Sequence, residues 1–481
     1  MQYSDTYEAV IGLEVHAQLL TKSKLFSADD ACFGGAPNTH ISPITLAHPG
    51  TLPKLNKEAI ELAVRMGLAC NCEIEQTNYF ARKHYFYPDL PKGYQLSQHT
   101  TPVCKGGFVP IKTADGERNI QLNRIHIEED AGKSMHDQYE TYSVVDCNRA
   151  GVPLIEIVTE PDLHTGDEAA AYVTELRKMV RTLGVCDGNM EEGSMRCDAN
   201  ISVRLKGDPK LGTKVEVKNL NSIRNLKKAI DFEVMRLIDL HKKGEPIIQQ
   251  TRSFNADDET TFAIRTKEDA NDYRYFADPD LPPFVITEDF IATVRASLPE
   301  LPEQRKQRLM QQYQLPAYDA ALLSDDKAWS DYFEAAAKHS SSFKQIANWM
   351  LGAIKSHLNE TETEIEQLHF QPQRLTELIA LVEEGKVSHT IAAQKLFPEL
   401  ITSTKSALQL AQEMNLLQER NTDALTSLID EVLHSMPEKV IEYKKGKKGL
   451  IGLFVGEVMK KSKGKADPKL LNQLVIEKLA Q

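Results

Sequence analysis

Carboxylates, imidazoles and cations recur at strand spacing through the first half of the chain. In MRCDANISVR, Arg196, Asp198, Asn200, Ser202 and Arg204 alternate with Met195, Cys197, Ala199, Ile201 and Val203. Successive side chains of a strand point to opposite faces, so the polar set shares one face and the apolar set the other. IGLEVHAQL repeats the pattern, with Glu14, His16 and Gln18 opposed to Leu13, Val15, Ala17 and Leu19. RIHIEEDAGKS sets Arg124, His126 and Glu128 on one side before Glu129 and Asp130 begin a turn. KVEVKNLNS opposes Lys214, Glu216 and Lys218 to Val215 and Val217, and PLIEIVTEPD holds Glu156 between Ile155 and Ile157.

A lone carboxylate in an apolar strand costs several kcal/mol to bury unless a cation neutralises it. Carboxylates with one imidazole suit a divalent metal, and an oxygen-rich set favours Mg²⁺ or Mn²⁺ over zinc. Glu14, His16, Glu129, Glu156 and Asp198 make such a set if their strands are neighbours. The plainer alternative is a solvated sheet face, which alternates in the same way. Metal-bearing carboxylates beside cations suit phosphoryl chemistry, where charge on the transferring group is stabilised electrostatically. Lys83 in FARKHYFYPDLPKGYQLSQ, Arg196 and Lys218 would supply positive charge, with Asn200 beside them as a further substrate or nucleotide contact. Neither a GxxxxGK[ST] loop nor a GxGxxG fingerprint occurs, which argues against P-loop and Rossmann nucleotide sites. FYPDLPKGYQ reads equally well as a substrate contact or as a Pro-anchored loop over packed aromatics.

The elements that must position these groups divide the 481 residues unevenly, and that length implies about two to four domains. To roughly residue 290 the chain is rich in Gly, Pro, Asn and short β-patterned segments. Between Thr165 and Gly184, Ala169, Val173, Leu176, Val180 and Leu183 recur at helical spacing, with Asp167 and Glu168 suited to the helix start. Strands and helices do not alternate regularly, so the expected class is α+β with a mainly antiparallel sheet. Beyond DPDLPPFVI the pattern is helical. The expected domains are 1–294, catalytic; 295–404, helical; and 405–481, a small helical tail.

With 41% hydrophobic and 26% charged residues the chain reads as globular, and no run of about twenty apolar residues suggests a membrane span. The opening MQYSDTYEAVIGLEV lacks a basic region followed by an apolar stretch, so no export signal is expected. Seven cysteines without a CxxC pair suit a reduced, cytoplasmic protein. A net charge of −12 argues against wrapping nucleic acid over the whole surface. Near the C-terminus, however, Lys444, Lys445, Lys447, Lys448, Lys460, Lys461, Lys463, Lys465 and Lys469 meet few acids, chiefly Glu457 and Asp467. That cluster is an expected RNA-phosphate patch; a solvated lysine face is the alternative.

Together IGLEVHAQL, ARKHYFYPDLPKGYQLSQ, HIEEDAGKS, NRAGVPLIEIVTEPD, EEGSMRCDANISVR, EVKNLNS and DYRYFADPDLPP resemble the B-subunit family of the tRNA-dependent aspartyl/glutamyl amidotransferases. The resemblance continues into GLIGLFVGEVMKKSKGKADPKLLNQLV and covers nearly the whole chain. It implies a heterotrimer with two partners: the A subunit, a glutaminase/amidase that releases ammonia from glutamine, and the small C subunit. It implies ATP- and Mg²⁺-dependent phosphorylation of the side-chain carboxylate of Glu-tRNA(Gln) or Asp-tRNA(Asn), then displacement of phosphate by ammonia. The implied catalytic fold is similar to the glutamine synthetase and guanidino kinase group. Glu14, His16, Glu129, Glu156 and Asp198 match the family's metal positions, and the family's tail contacts tRNA. Many members carry a cysteine pair where Ser42 and Thr45 stand here, so no zinc is expected. Ala277 and Asp278 replace the more usual proline and glutamate of DYRYFADPDLPP.

Overall fold

The computed structural model describes residues 3–114, 116–135, 139, 141–266, 273–418, 422–462, 466 and 468–480. The chain divides into two compact units, Met1–Leu301 and Pro302–Gln481. The first is built on a sheet of ten strands among the described residues. The strands of this unit that matter for the site are β1 (Tyr7–Gln18), β2 (Ala81–His84), β3 (Tyr94–Ser97), β4 (Gly116–Glu129) and β5 (Pro153–Thr159). They are followed by β6 (Met195–Leu205), β7 (Val215–Leu220), β8 (Gln250–Asn255), β9 (Thr260–Thr266) and β10 (Arg274–Ala277).

In the large sheet the order is β9-β8-β7-β6-β1-β5-β4, continued by Cys104–Lys105 and Glu73–Ile74. Its pairings are antiparallel except β7 with β8. Strands β2, β3 and β10 form a separate antiparallel sheet in the order β10-β2-β3.

The period-two pattern explains which face is covered. Ile11, Leu13, Val15 and Ala17 of β1 and Ala199 and Ile201 of β6 are fully buried. They pack in one core with helices α1 (Lys57–Ala69), α2 (Gly166–Thr182) and α3 (Ile223–Lys243). Each fully buried Leu, Ile or Val there contributes about 1.5–3 kcal/mol, so a one-residue slip of a central strand is strongly opposed. The helix expected after Thr165 forms. Thr165 accepts a hydrogen bond from the Glu168 amide, and Asp167 and Glu168 lie in the positive first turn. At the end of α3, Gly244 takes a left-handed conformation (φ 70°) after His241, Lys242 and Lys243. With helices on one face, the opposite face of the sheet holds the polar side chains.

The second unit is helical. One core runs from Leu309 to Leu416 around Trp349, Phe370 and Phe397, and another joins Leu425, Ile429, Phe454, Val458, Leu471 and Val475. No helix among the described residues is long and apolar enough to cross a membrane.

Candidate functional site

Strand register assembles the site. His16 lies opposite Arg196 on one side and Glu156 on the other, and Glu156 lies opposite His126. Arg196, His16, Glu156 and His126 therefore form a row across β6, β1, β5 and β4. Glu156 Oε2 stands 3.4 Å from Nε2 of His16 and 3.4 Å from Nε2 of His126. Glu128, two residues past His126 on the same face of β4, lies 3.1 Å from His126 Nε2. It accepts hydrogen bonds from Ser97 Oγ (2.6 Å) and Gln95 Nε2 (3.1 Å) of β3. Ligand atoms of His16, Glu128 and Glu156 all lie within 4.8 Å of one another.

A second row lies beside the first. Glu14 is opposite Asp198, and Asn200 Nδ2 donates to Glu14 Oε1 at 2.9 Å. The β6–β7 register shifts between Cys197 and Ala199, where Asn219 takes a positive φ of 63°. An extra residue of this kind bends a strand and re-aims its side chains. Lys218 Nζ here reaches Asp198 (2.7 Å) and Glu216 (3.1 Å).

Glu129 does not join the three-donor group. It is fully buried against Lys92 Nζ at 2.6 Å and accepts from the Leu96 amide at 2.7 Å. The available donor is Glu128, whose parity with His126 is visible in RIHIEED, whereas the pairing of Glu129 with Lys92 depends on tertiary structure. Sequence reasoning also missed Asp130. Its carboxylate accepts from Arg196 (2.8 and 2.9 Å) and Gln18 Nε2 (2.7 Å), and fixes the guanidinium at the end of the first row. Lys83 of β2 is held among aromatics, 5.0 Å from the ring centre of Tyr273 and 5.9 Å from that of Tyr85.

These positions set the electrostatics. Burial opposes ionisation of Glu156, but the His16 hydrogen bond and the charges of His126 and Lys83 outweigh it and hold the carboxyl well below its usual range. Burial works against protonated His16, yet Glu156 raises its pKa. Glu14 is pushed up, first by burial and then by Glu156, Glu216 and Asp198. Burial alone would lower Lys83, but Glu128 and Glu156 carry it above its ordinary value. Lys218 is raised likewise, against burial, by Asp198 and Glu216. The basin therefore concentrates carboxyl groups, with cations at its rim. Such a set can hold a divalent cation and face it with a polyanion.

Away from the basin, Asp29 gathers the hydroxyls of Ser42 (2.8 Å), Ser27 (3.1 Å) and Thr45. In the tail, Lys444, Lys445, Lys447, Lys448, Lys460 and Lys461 are exposed. Lys447 pairs with Glu442 at 3.1 Å, Lys461 with Glu431 at 2.5 Å, and Lys448 lies over the Tyr443 ring. Lys463 and Lys465 lie outside the described residues, as does the side chain of Lys469.

A mainly antiparallel sheet with helices packed on one face carries clustered acids, imidazoles and cations on the other. The chain belongs to the GatB/GatE family. Residues 9–292 match the model of the GatB/GatE catalytic domain, and residues 331–479 match that of the GatB domain. Similar proteins, each named as the B subunit of aspartyl/glutamyl-tRNA(Asn/Gln) amidotransferase, occur in several bacteria. That of Thermodesulfovibrio yellowstonii is 47% identical over 475 residues, 99% of this chain and 100% of the relative. Others occur in Thermosynechococcus vestitus (48% over 484 residues, 98% and 97%) and Rickettsia bellii (46% over 477 residues, 99% and 98%).

Proposed function

We propose that this chain is the B subunit of a tRNA-dependent aspartyl/glutamyl amidotransferase, a ligase that forms a C–N bond with glutamine as amide donor. It activates the side-chain carboxylate of Glu-tRNA(Gln) or Asp-tRNA(Asn) with ATP. Ammonia from the amidase partner then displaces phosphate, in an assembly completed by a small third protein. The observation that carries this reading is the row of Arg196, His16, Glu156 and His126 with Glu128 beside it, in a chain of this family.

The donors suit Mg²⁺ or Mn²⁺: two carboxylates and an imidazole converge, and further carboxylates lie close enough to hinder the ionisation of Glu14. His16, Glu128 and Glu156 would hold the ion, with Glu14 and Asp198 in support. Bound there, it would neutralise phosphate charge during transfer. The other steps fall to the chain itself. Ser97 and Gln95 orient Glu128, and Asp130 orients Arg196. Lys83, Arg196 and Lys218 offer positive charge to phosphate and to the substrate carboxylate, while Asn200 steadies Glu14. Glu129, held by Lys92, is a supporting group behind this set.

The sheet unit would then be a glutamine synthetase- or guanidino kinase-like catalytic domain over 1–294, joined to a helical domain over 295–404. The tail over 405–481 would bind tRNA through its exposed lysines. The seven cysteines are all free, which suits work in the reducing cytoplasm.

The test is amide formation by the assembled enzyme with mischarged tRNA, ATP and glutamine. Loss of turnover in Glu156→Ala with tRNA binding retained supports the proposal; unchanged amidation in that variant contradicts it.

A further inference from the structure

Beside the acidic basin the small sheet carries more aromatic surface than packing requires. Tyr273 remains 42% exposed, and in the loop after β2 Phe86 and Tyr87 are 91% and 58% exposed. Tyr85 and Tyr273 meet with ring centres 5.5 Å apart, and Lys83 lies 5.0 Å from the Tyr273 centre. Tyr275, two residues along β10, stacks on exposed His99 at 4.1 Å with planes 13° apart. The small sheet meets the basin directly: Gln95 and Ser97 of β3 donate to Glu128, Lys83 lies opposite Gln95 in the β2–β3 register, and Tyr275 lies opposite Lys83 on β10. Rings and a cation thus adjoin the carboxylates that would face phosphate. Aromatic rings bind nucleobases by stacking, with little dependence on which base is presented, and an adjacent cation suits the phosphates that accompany a base.

We infer that Tyr273 and Tyr275, with Lys83 beside them, form a stacking platform for a nucleobase whose phosphate or ester end enters the basin. The inference rests on the reading of the basin given above and adds the ligand class at its rim. A base can come from ATP or from the 3′ end of the charged tRNA; the stacking chemistry is the same. Tyr273 is the residue to test, because a ring already open to solvent can be shortened without emptying the core.

In the assembled enzyme, affinities of Tyr273→Ala and Tyr273→Phe are compared for ATP, inorganic tripolyphosphate, intact tRNA and tRNA lacking its 3′-terminal nucleoside, all with Mg²⁺. Stacking of the ATP base predicts that Tyr273→Ala weakens ATP roughly tenfold, leaves tripolyphosphate unchanged and is rescued by Tyr273→Phe. Stacking of the RNA base predicts the same loss for intact tRNA and none for the trimmed RNA. Equal weakening of ATP and tripolyphosphate, equal weakening of both RNAs, or no change in any affinity overturns the inference. Its failure is distinct from failure of the catalytic reading, which is decided by turnover of Glu156→Ala.

Discussion

The sheet unit and the helical tail handle charge in opposite ways. On the sheet, Glu156 is set between two imidazoles by strand register, and its side chain is only 13% exposed. In the tail, Lys444, Lys445 and Lys460 are exposed and have no ion-pair partner among the described residues. A group fixed to a rigid strand can act on one atom of a substrate, because its position is settled before the substrate arrives. A lysine on an exposed helix end finds phosphate by number and attraction, and salt weakens it. Charge held by strand register is thus suited to chemistry, and charge on exposed helix ends to affinity.

The sharpest way to break this contrast is to remove charge at the first row. Glu156→Gln is expected to lower amide formation by about 10³-fold, the scale of losing a pre-organised electrostatic group, with tRNA affinity unchanged. A variant that instead lost tRNA binding and kept turnover would erase the difference between the two regions. The next largest effect is on stability. Lys92→Met leaves fully buried Glu129 without its ion-pair partner and is expected to cost about 3–5 kcal/mol by denaturant melt, largely recovered in the double variant with Glu129→Gln. No recovery would mean that Glu129 needs its charge for something other than Lys92.

The tail is expected to respond more gently. Replacing Lys444, Lys445 and Lys460 with Gln should weaken tRNA roughly tenfold near physiological salt and flatten the salt dependence of the binding constant. Turnover at saturating tRNA should be unchanged. An unaltered salt slope would assign those lysines to solubility. The smallest effect lies at Asp29, whose carboxyl is held below its ordinary value of 3.8 because the hydroxyls of Thr45, Ser42 and Ser27 overcome burial. A depressed carboxyl contributes stability above the unfolded pKa and loses it as pH falls through the folded one. Asp29→Asn should therefore cost less than about 1 kcal/mol at pH 7, because solvent screens this carboxyl, with the gap to the parent closing below about pH 4. A gap that stays constant with pH would remove the charge from this account.

How much of this was legible in the sequence depends on the range over which each feature is determined. Alternation in MRCDANISVR and IGLEVHAQL placed Asp198, Asn200, Glu14 and His16 on polar faces, because that property needs only neighbouring residues. The helix after Thr165 was legible for the same reason, through its cap and its apolar spacing. Register is a tertiary quantity, so the row from Arg196 to His126 could not be read from any one segment. The choice between Glu128 and Glu129 shows the difference most clearly. Parity puts Glu128 with His126, whereas the family's motif points to Glu129. The contacts that separate the two carboxylates come from Lys92, Gln95, Leu96 and Ser97, more than thirty residues earlier in the chain. Tyr273 has no signal of its own in the sequence, because its meaning depends on Lys83, which a different strand presents.

Mn²⁺ binding by the assembled enzyme, followed by its electron paramagnetic signal, tests the central claim most directly. Glu128→Gln and Glu156→Gln should each weaken binding by more than about tenfold, while Glu129→Gln should leave it nearly unchanged. Loss of binding in Glu129→Gln, with Glu128→Gln indistinguishable from the parent, would contradict the site described.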